Sequence, residues 1–182
     1  MPRHLMIYTY LVLGYRLTEY IVMRRHKSER RGTLRDWTRW LLILPFGLTI
    51  IGPLLEVFYF GWKSGPLNCA FGALFIVAAT WLRCRGHMDL RGSYSMAVEH
   101  PQEGLVTEGI YSHIRHPLYL GNLCLFIGCP LFLGARWTWI ATLLGLIGML
   151  IRIPVEERLL TEAFPEYSAY RERTKALIPG VW

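Results

Sequence analysis

Residues 117–153 read PLYLGNLCLFIGCPLFLGARWTWIATLLGLIGMLIRI. Two apolar runs, 117–134 and 137–153, lie on either side of Gly134-Ala135-Arg136. Each run is about 17 residues long, or roughly 26 Å of helix at 1.5 Å per residue, which is enough to cross a bilayer at the short end of the range. The connection leaves room only for a tight turn, so the runs form an antiparallel helical hairpin. Gly128, Gly134, Gly145 and Gly148 allow its helices to approach others closely. Whatever precedes residue 117 and whatever follows residue 153 therefore meet at one membrane surface.

Upstream, apolar runs recur at 5–22, 37–60 and 66–82, giving five expected spans. Within the first, Arg16 and Glu19 are three residues apart and pair on one helical face. Pro45 and Pro53 predict a kink in the second, and Trp37, Trp40 and Trp62 sit at its ends, where aromatic belts form. Glu56 is expected to reach the interface or be satisfied by a neighbour. The fold class is all-α integral membrane, with a C-terminal hairpin and a capping amphipathic tail helix. The 182 residues make one membrane domain, with a three-span part (1–83) and a chemistry-bearing part (84–182).

Hydrophobic residues make up 53% and come in blocks, and the net charge is +7. In a soluble chain that charge would point to nucleic acid. Here the cations flank apolar blocks, so topology and anionic headgroups account for them, and no nucleic-acid partner is expected. Seven lie in the first connection (Arg24, Arg25, Lys27, Arg30, Arg31, Arg35, Arg39) and four in the connection 83–116 (Arg83, Arg85, Arg91, Arg115). Five are counted with the hairpin's exit and the tail (Arg152, Arg158, Arg171, Arg173, Lys175), whereas Arg3, Lys63 and Arg136 fall opposite. The positive-inside rule then predicts an outside N-terminus and a cytoplasmic C-terminus. Cys69, Cys84, Cys124 and Cys129 contain no CxxC pair and read as small apolar residues, so no metal site is expected.

Chemistry concentrates just before and just after the hairpin. Residues 105–121, LVTEGIYSHIRHPLYLG, place Arg115, His116, Tyr111 and Tyr119 at its entry, with Pro117 in the first helical turn and Gly121 leaving room for a ligand. Glu156 and Glu157 follow its exit. Polar groups this dense beside hydrocarbon are costly unless they bind something or pair with each other. Both remain open: a site for a polar cofactor, or an interfacial salt bridge on a membrane scaffold. The tail, with Val155, Leu159, Ala163, Phe164, Tyr167 and Tyr170 at helical spacing, is expected to cover the mouth, as two short helices or a bent one around Pro165.

LVTEGIYSHIRHPLYLG, then a hairpin, then EERLLTEAFPEYSAYRERTKALIPG, together resemble the isoprenylcysteine carboxyl methyltransferase family of integral-membrane enzymes. The similarity covers residues 84–182. RHPxYxG alone is shared with NADPH-dependent membrane sterol reductases, but Asn122 stands where those tend to carry Glu. Pro165 departs from the family's usual Gly. The resemblance implies S-adenosylmethionine as cofactor, without a Rossmann fold. It places His116, Tyr119 and one or both of Glu156 and Glu157 at the cofactor, with Gly121 and Tyr111 nearby and Val106, Gly109, Leu159 and Phe164 walling the adenine. In this reading His116 and nearby backbone donors hold the cofactor's carboxylate. Arg115 orients an anionic acceptor, and Glu157 is the second catalytic candidate, with Glu157 or His116 serving as base if the acceptor needs one. The acceptor is lipophilic and enters from the bilayer. A phospholipid or other small-lipid methyltransferase and an NADPH-dependent reductase are the enzymatic alternatives.

Overall fold

The computed structural model describes residues 3–25, 37–90 and 104–178. The middle of the first basic connection, the centre of the long one and the last four residues lie outside these. All regular structure among the described residues is helical: α1 (Arg3–Arg25), α2 (Trp40–Phe60), α3 (Pro66–Leu90), α4 (Pro117–Leu133), α5 (Thr138–Ala163) and α6 (Tyr167–Arg173). Single 3-10 turns occupy Trp37–Arg39 and Gly109–Ser112.

Three helices, α2, α3 and α5, are long and apolar enough to cross a membrane. The apolar helix α4 is shorter, at 17 residues. Helix α1 has the length, 23 residues, but Arg16, Glu19, Arg24 and Arg25 dilute its apolar character. Its inward face carries Tyr8, Val12, Tyr15 and Glu19. On the outside, Leu44, Leu48, Ile51 and Leu55 of α2 and Leu143, Leu144, Ile147 and Leu150 of α5 are exposed. Apolar side chains on both faces suit helices bounded by lipid on one side and protein on the other.

Helix α4 is central. It packs chiefly on α3 and also on α2 and α5; α2 packs on α5, and α1 on α3. Leu125, Phe126, Cys129 and Leu133 of α4 are fully buried. The hairpin turn forms as expected: Gly134 is left-handed, φ +68°, and ends α4. The glycine fits because a side chain there would be strained. Close helix approach is real at Gly148, where a Cβ would run into the Leu41 carbonyl of α2.

Glu56 is satisfied by the next element. Its carboxylate accepts the backbone N–H groups of Arg136 (2.6 Å), Trp137 (2.9 Å) and Thr138 (2.6 Å) and the Thr138 hydroxyl (2.5 Å). It thus caps the orphan donors of α5 from a different helix.

Two boundaries differ from the sequence reading. Helix α3 runs eight residues past 82, so Arg83, His87 and Asp89 are helical and not part of a loop. Arg83 is tolerated there because its guanidinium meets the Glu19 carboxylate (Nε to Oε1, 2.6 Å) and the Asn122 side chain (2.5 Å). Glu19 also takes Arg16 as expected, at 2.9 Å. Helix α5 continues through Pro154 to Ala163, so Arg152 belongs to its buried face and not to a tail. The helix ends at Phe164, in extended conformation, as the residue before Pro165 prefers.

Candidate functional site

The tail returns to the entry of α4. After α6, Lys175 forms a parallel bridge with Ile114, and the N–H groups of Arg115 and His116 donate to the carbonyls of Lys175 (2.8 Å) and Ala176 (2.9 Å). The Tyr170 hydroxyl donates to the Tyr111 carbonyl at 2.6 Å. Arg115 reaches the same strap, donating to the carbonyls of Arg171 and Thr174. Asp89, on the extension of α3, accepts the Ile110 N–H at 2.8 Å and fixes the turn Gly109–Ser112. Gly109 has φ +61°, and a Cβ there would collide with the Asp89 carboxylate.

The two glutamates face different ways. Glu157 accepts from Arg115 (2.8 Å), lies 3.2 Å from the His116 ring and has Arg171 at 3.5 Å. Glu156 accepts from the Tyr119 hydroxyl at 2.8 Å. Arg152 Nε in turn donates to that hydroxyl at 3.3 Å, and its Nη1 donates to Thr38 at 2.8 Å. Adjacent residues on a helix point about 100° apart. Glu157 therefore fastens the tail, while Glu156 faces a cavity of about 480 Å³. That volume is within the range of roughly 300–1,000 Å³ seen for small-molecule sites.

Of the residues singled out from sequence, Val106, Tyr111, Arg115, His116, Tyr119, Glu156 and Phe164 line this cavity. Gly109 sits against Asp89, and Gly121 against the Arg83 side chain and the Ala79 carbonyl. Glu157 borders a separate cleft with Arg171 and Lys175. Leu160 lines the cavity in place of Leu159, a displacement of one helical position. The backbone donors of Arg115 and His116 are spent on the tail, so they are not free for a ligand carboxylate. The Arg115 guanidinium is likewise engaged, by Glu157 and two tail carbonyls.

Tyr167 and Tyr170 complete the cap, their rings 5.7 Å apart. Burial pushes the Tyr170 phenol up to about 12 and raises Tyr167 as well, so both stay protonated at neutral pH. The Tyr167 hydroxyl is buried and has no hydrogen-bond partner among the described residues.

The sequence reading missed the far wall. Arg16, Glu19 and Met23 of α1, Arg39, Leu42, Ile43 and Phe46 at the start of α2, and Arg83, Asn122 and Arg152 also line the cavity. Two signals were present. Asn122 is three residues from Tyr119, and Arg152 four from Glu156, the spacings that share a helical face. Nothing local marked Arg39, which reads as one of seven loop cations.

Comparison with known proteins agrees with this organisation. Over 180 residues the chain is 27% identical to protein-S-isoprenylcysteine O-methyltransferase B of Arabidopsis thaliana, covering 93% of this chain and 90% of the plant protein. It is 30% identical over 113 residues to the protein-S-isoprenylcysteine O-methyltransferase of Schizosaccharomyces pombe, covering 58% of this chain and 47% of that one. An 80-residue segment is 42% identical to the cobalt-zinc-cadmium resistance protein CzcN of Cupriavidus metallidurans, covering 41% of this chain but 35% of that protein's length. These names bear out the resemblance drawn from the two motif blocks. The model of the family described as phospholipid methyltransferase matches residues 67–167, more than half of the chain and nearly all of α3, α4 and α5. The chain belongs to that family.

Proposed function

We propose that this membrane protein is an S-adenosylmethionine-dependent methyltransferase that acts on a lipophilic acceptor, a carboxylate foremost, at the cytoplasmic face. The observation that carries the reading is Glu156, held in the cavity by Tyr119 and backed by Arg152, beside the apolar surfaces of Val106, Leu160 and Phe164. This donor set fits the cofactor. A carboxylate suits ribose hydroxyls or an ammonium, apolar walls suit a purine, and the unpartnered Tyr167 hydroxyl offers a further polar contact. Aromatic rings at the cap favour a cation.

When bound, such a cofactor supplies an electrophilic methyl on a sulfonium; transfer to a carboxylate oxygen breaks the S–C bond and leaves the electron pair on sulfur. A carboxylate acceptor is already ionised at neutral pH, so this chain's residues need not move a proton. Their work is to position the partners and keep water out. Arg115 and Glu157 act in this reading by locking the tail over the cavity. Residues 84–182 supply the cofactor side, and the first 83 residues close the cavity and admit the acceptor from the bilayer. The charge distribution supports a cytoplasmic mouth.

Both the matched family and the named relatives support methyl transfer over the reductase reading. Calorimetry of the detergent-purified protein with S-adenosylmethionine, S-adenosylhomocysteine and NADPH tests this directly. Saturable binding of both sulfur nucleosides, and none of NADPH, is expected. Binding of NADPH alone would overturn the proposal. Radiolabelled methyl transfer into lipid extracts then identifies the acceptor.

A further inference from the structure

The cavity holds more cationic than anionic side chains, and most of its guanidiniums are already engaged. Glu19 takes Arg16 and Arg83, Glu157 takes Arg115, and Arg152 serves Tyr119 and Thr38. Arg39 differs. It makes no ion pair among the described residues, and its Nε is buried without a hydrogen-bond acceptor. Its guanidinium only stacks over Trp40, 5.4 Å from the ring centroid. A half-buried guanidinium in a cavity, with its Nε buried and without an acceptor among the described residues, points to an anionic ligand.

Position identifies which ligand. Trp40 is 48% exposed and opens an apolar helix long enough to cross a membrane, the position where aromatic belts form. From Arg39 the lining of α2 continues through Leu42, Ile43 and Phe46, at steps of three, four and seven residues, one face of a helix. That face runs about 10 Å at 1.5 Å per residue, a charged head followed by an apolar wall. A nucleoside does not have that shape; a lipid with an anionic head does. The adjacent Thr38 is tied through Arg152 to Tyr119 and Glu156, so the head of such a lipid would lie beside the cofactor side of the cavity.

We propose that Arg39 is the specificity-determining residue for the acceptor: it selects an anionic headgroup, while Leu42, Ile43 and Phe46 receive the attached chain. This rests on the methyltransferase reading for its meaning but not for its test. Arg39 lies outside the segment that the family model matches.

The probes are N-acetyl-S-farnesylcysteine, which carries a free carboxylate, and its uncharged carboxamide. Binding to detergent-solubilised wild-type protein, Arg39→Gln and Arg39→Lys is measured by calorimetry, with S-adenosylhomocysteine titrated in parallel. The wild type should bind the carboxylate about tenfold more tightly than the carboxamide. Arg39→Gln should bind the two alike, Arg39→Lys should recover part of the preference, and affinity for S-adenosylhomocysteine should stay within about twofold in all three. Where transfer is measurable, Arg39→Gln should raise KM for the carboxylate with little change in kcat. An undiminished carboxylate preference in Arg39→Gln overturns the proposal. So does failure of the wild type to bind either probe, or a loss confined to S-adenosylhomocysteine, which would make Arg39 a cofactor contact. Carboxylate discrimination without any nucleoside binding would sustain Arg39's role and sink the methyltransferase reading instead.

Discussion

Tyr119→Phe is the sharpest test of the cofactor side. The substitution keeps the buried ring and deletes one oxygen. That oxygen donates to Glu156 at 2.8 Å and accepts from Arg152 at 3.3 Å. A hydrogen bond to a charged group contributes about 1.5–3 kcal/mol, and each 1.4 kcal/mol is about tenfold in affinity. The second bond is long and adds little. Glu156 and Arg152 can also move toward each other once the phenol oxygen is gone, which offsets part of the loss. The expected outcome is a weakening of S-adenosylhomocysteine binding by about 10- to 50-fold, read by calorimetry in detergent. The thermal midpoint should fall by only a few degrees, as loss of one hydrogen bond with the apolar packing retained implies. The double variant Tyr119→Phe/Glu156→Gln separates mechanism from damage. If Tyr119 acts by orienting Glu156, the pair should bind no more than about threefold more weakly than Glu156→Gln alone, since residues in one network are not additive. Unchanged affinity in Tyr119→Phe, or full additivity in the double variant, would refute the reasoning.

Arg115→Met should loosen the tail, seen as faster hydrogen exchange across 167–177, and weaken nucleoside binding; Arg115→Lys should not restore it, because one ammonium cannot span a carboxylate and two carbonyls. Glu56→Ala should cost about 2 kcal/mol, as loss of a strong N-cap does, lowering the midpoint of detergent-induced unfolding. Arg83→Met should destabilise by about 3 kcal/mol by removing the buried partner of Glu19 and leaving it the half-exposed Arg16, and adding Glu19→Gln should recover much of that. The Tyr170 phenol is raised from its ordinary value near 10 to about 12. Its docking energy is therefore complete below pH 10 and is lost as pH climbs toward 12. Phenolate absorbance in wild type against Tyr170→Phe should show a late-titrating tyrosine, and one that ionises at its ordinary value would contradict the packing.

Much of the architecture was legible in the chain. A run of apolar residues long enough to cross a bilayer declares itself whatever surrounds it, so α2, α3 and the hairpin were readable from composition alone. The pairing of Arg16 with Glu19 followed from their three-residue spacing, and the meeting of the 105–121 stretch with the tail followed from the hairpin's short turn. What failed was the reading of polar residues at the ends of apolar runs. Arg83 looked like the start of a loop, and its contacts with Glu19, 64 residues away, and with Asn122 make it tolerable inside a helix bundle. Arg152 looked like a tail cation for the same reason.

Local sequence, then, determined which segments are helices, where the hairpin turns and that chemistry gathers at one of its ends, because these depend on hydrophobicity and short-range geometry. Tertiary structure decided which of two adjacent glutamates faces the cavity, that Arg115 is tied to the tail, and that Arg39 lines a wall instead of a surface. Those outcomes depend on the rotation of each helix about its axis, and rotation is set by contacts between residues far apart in the chain.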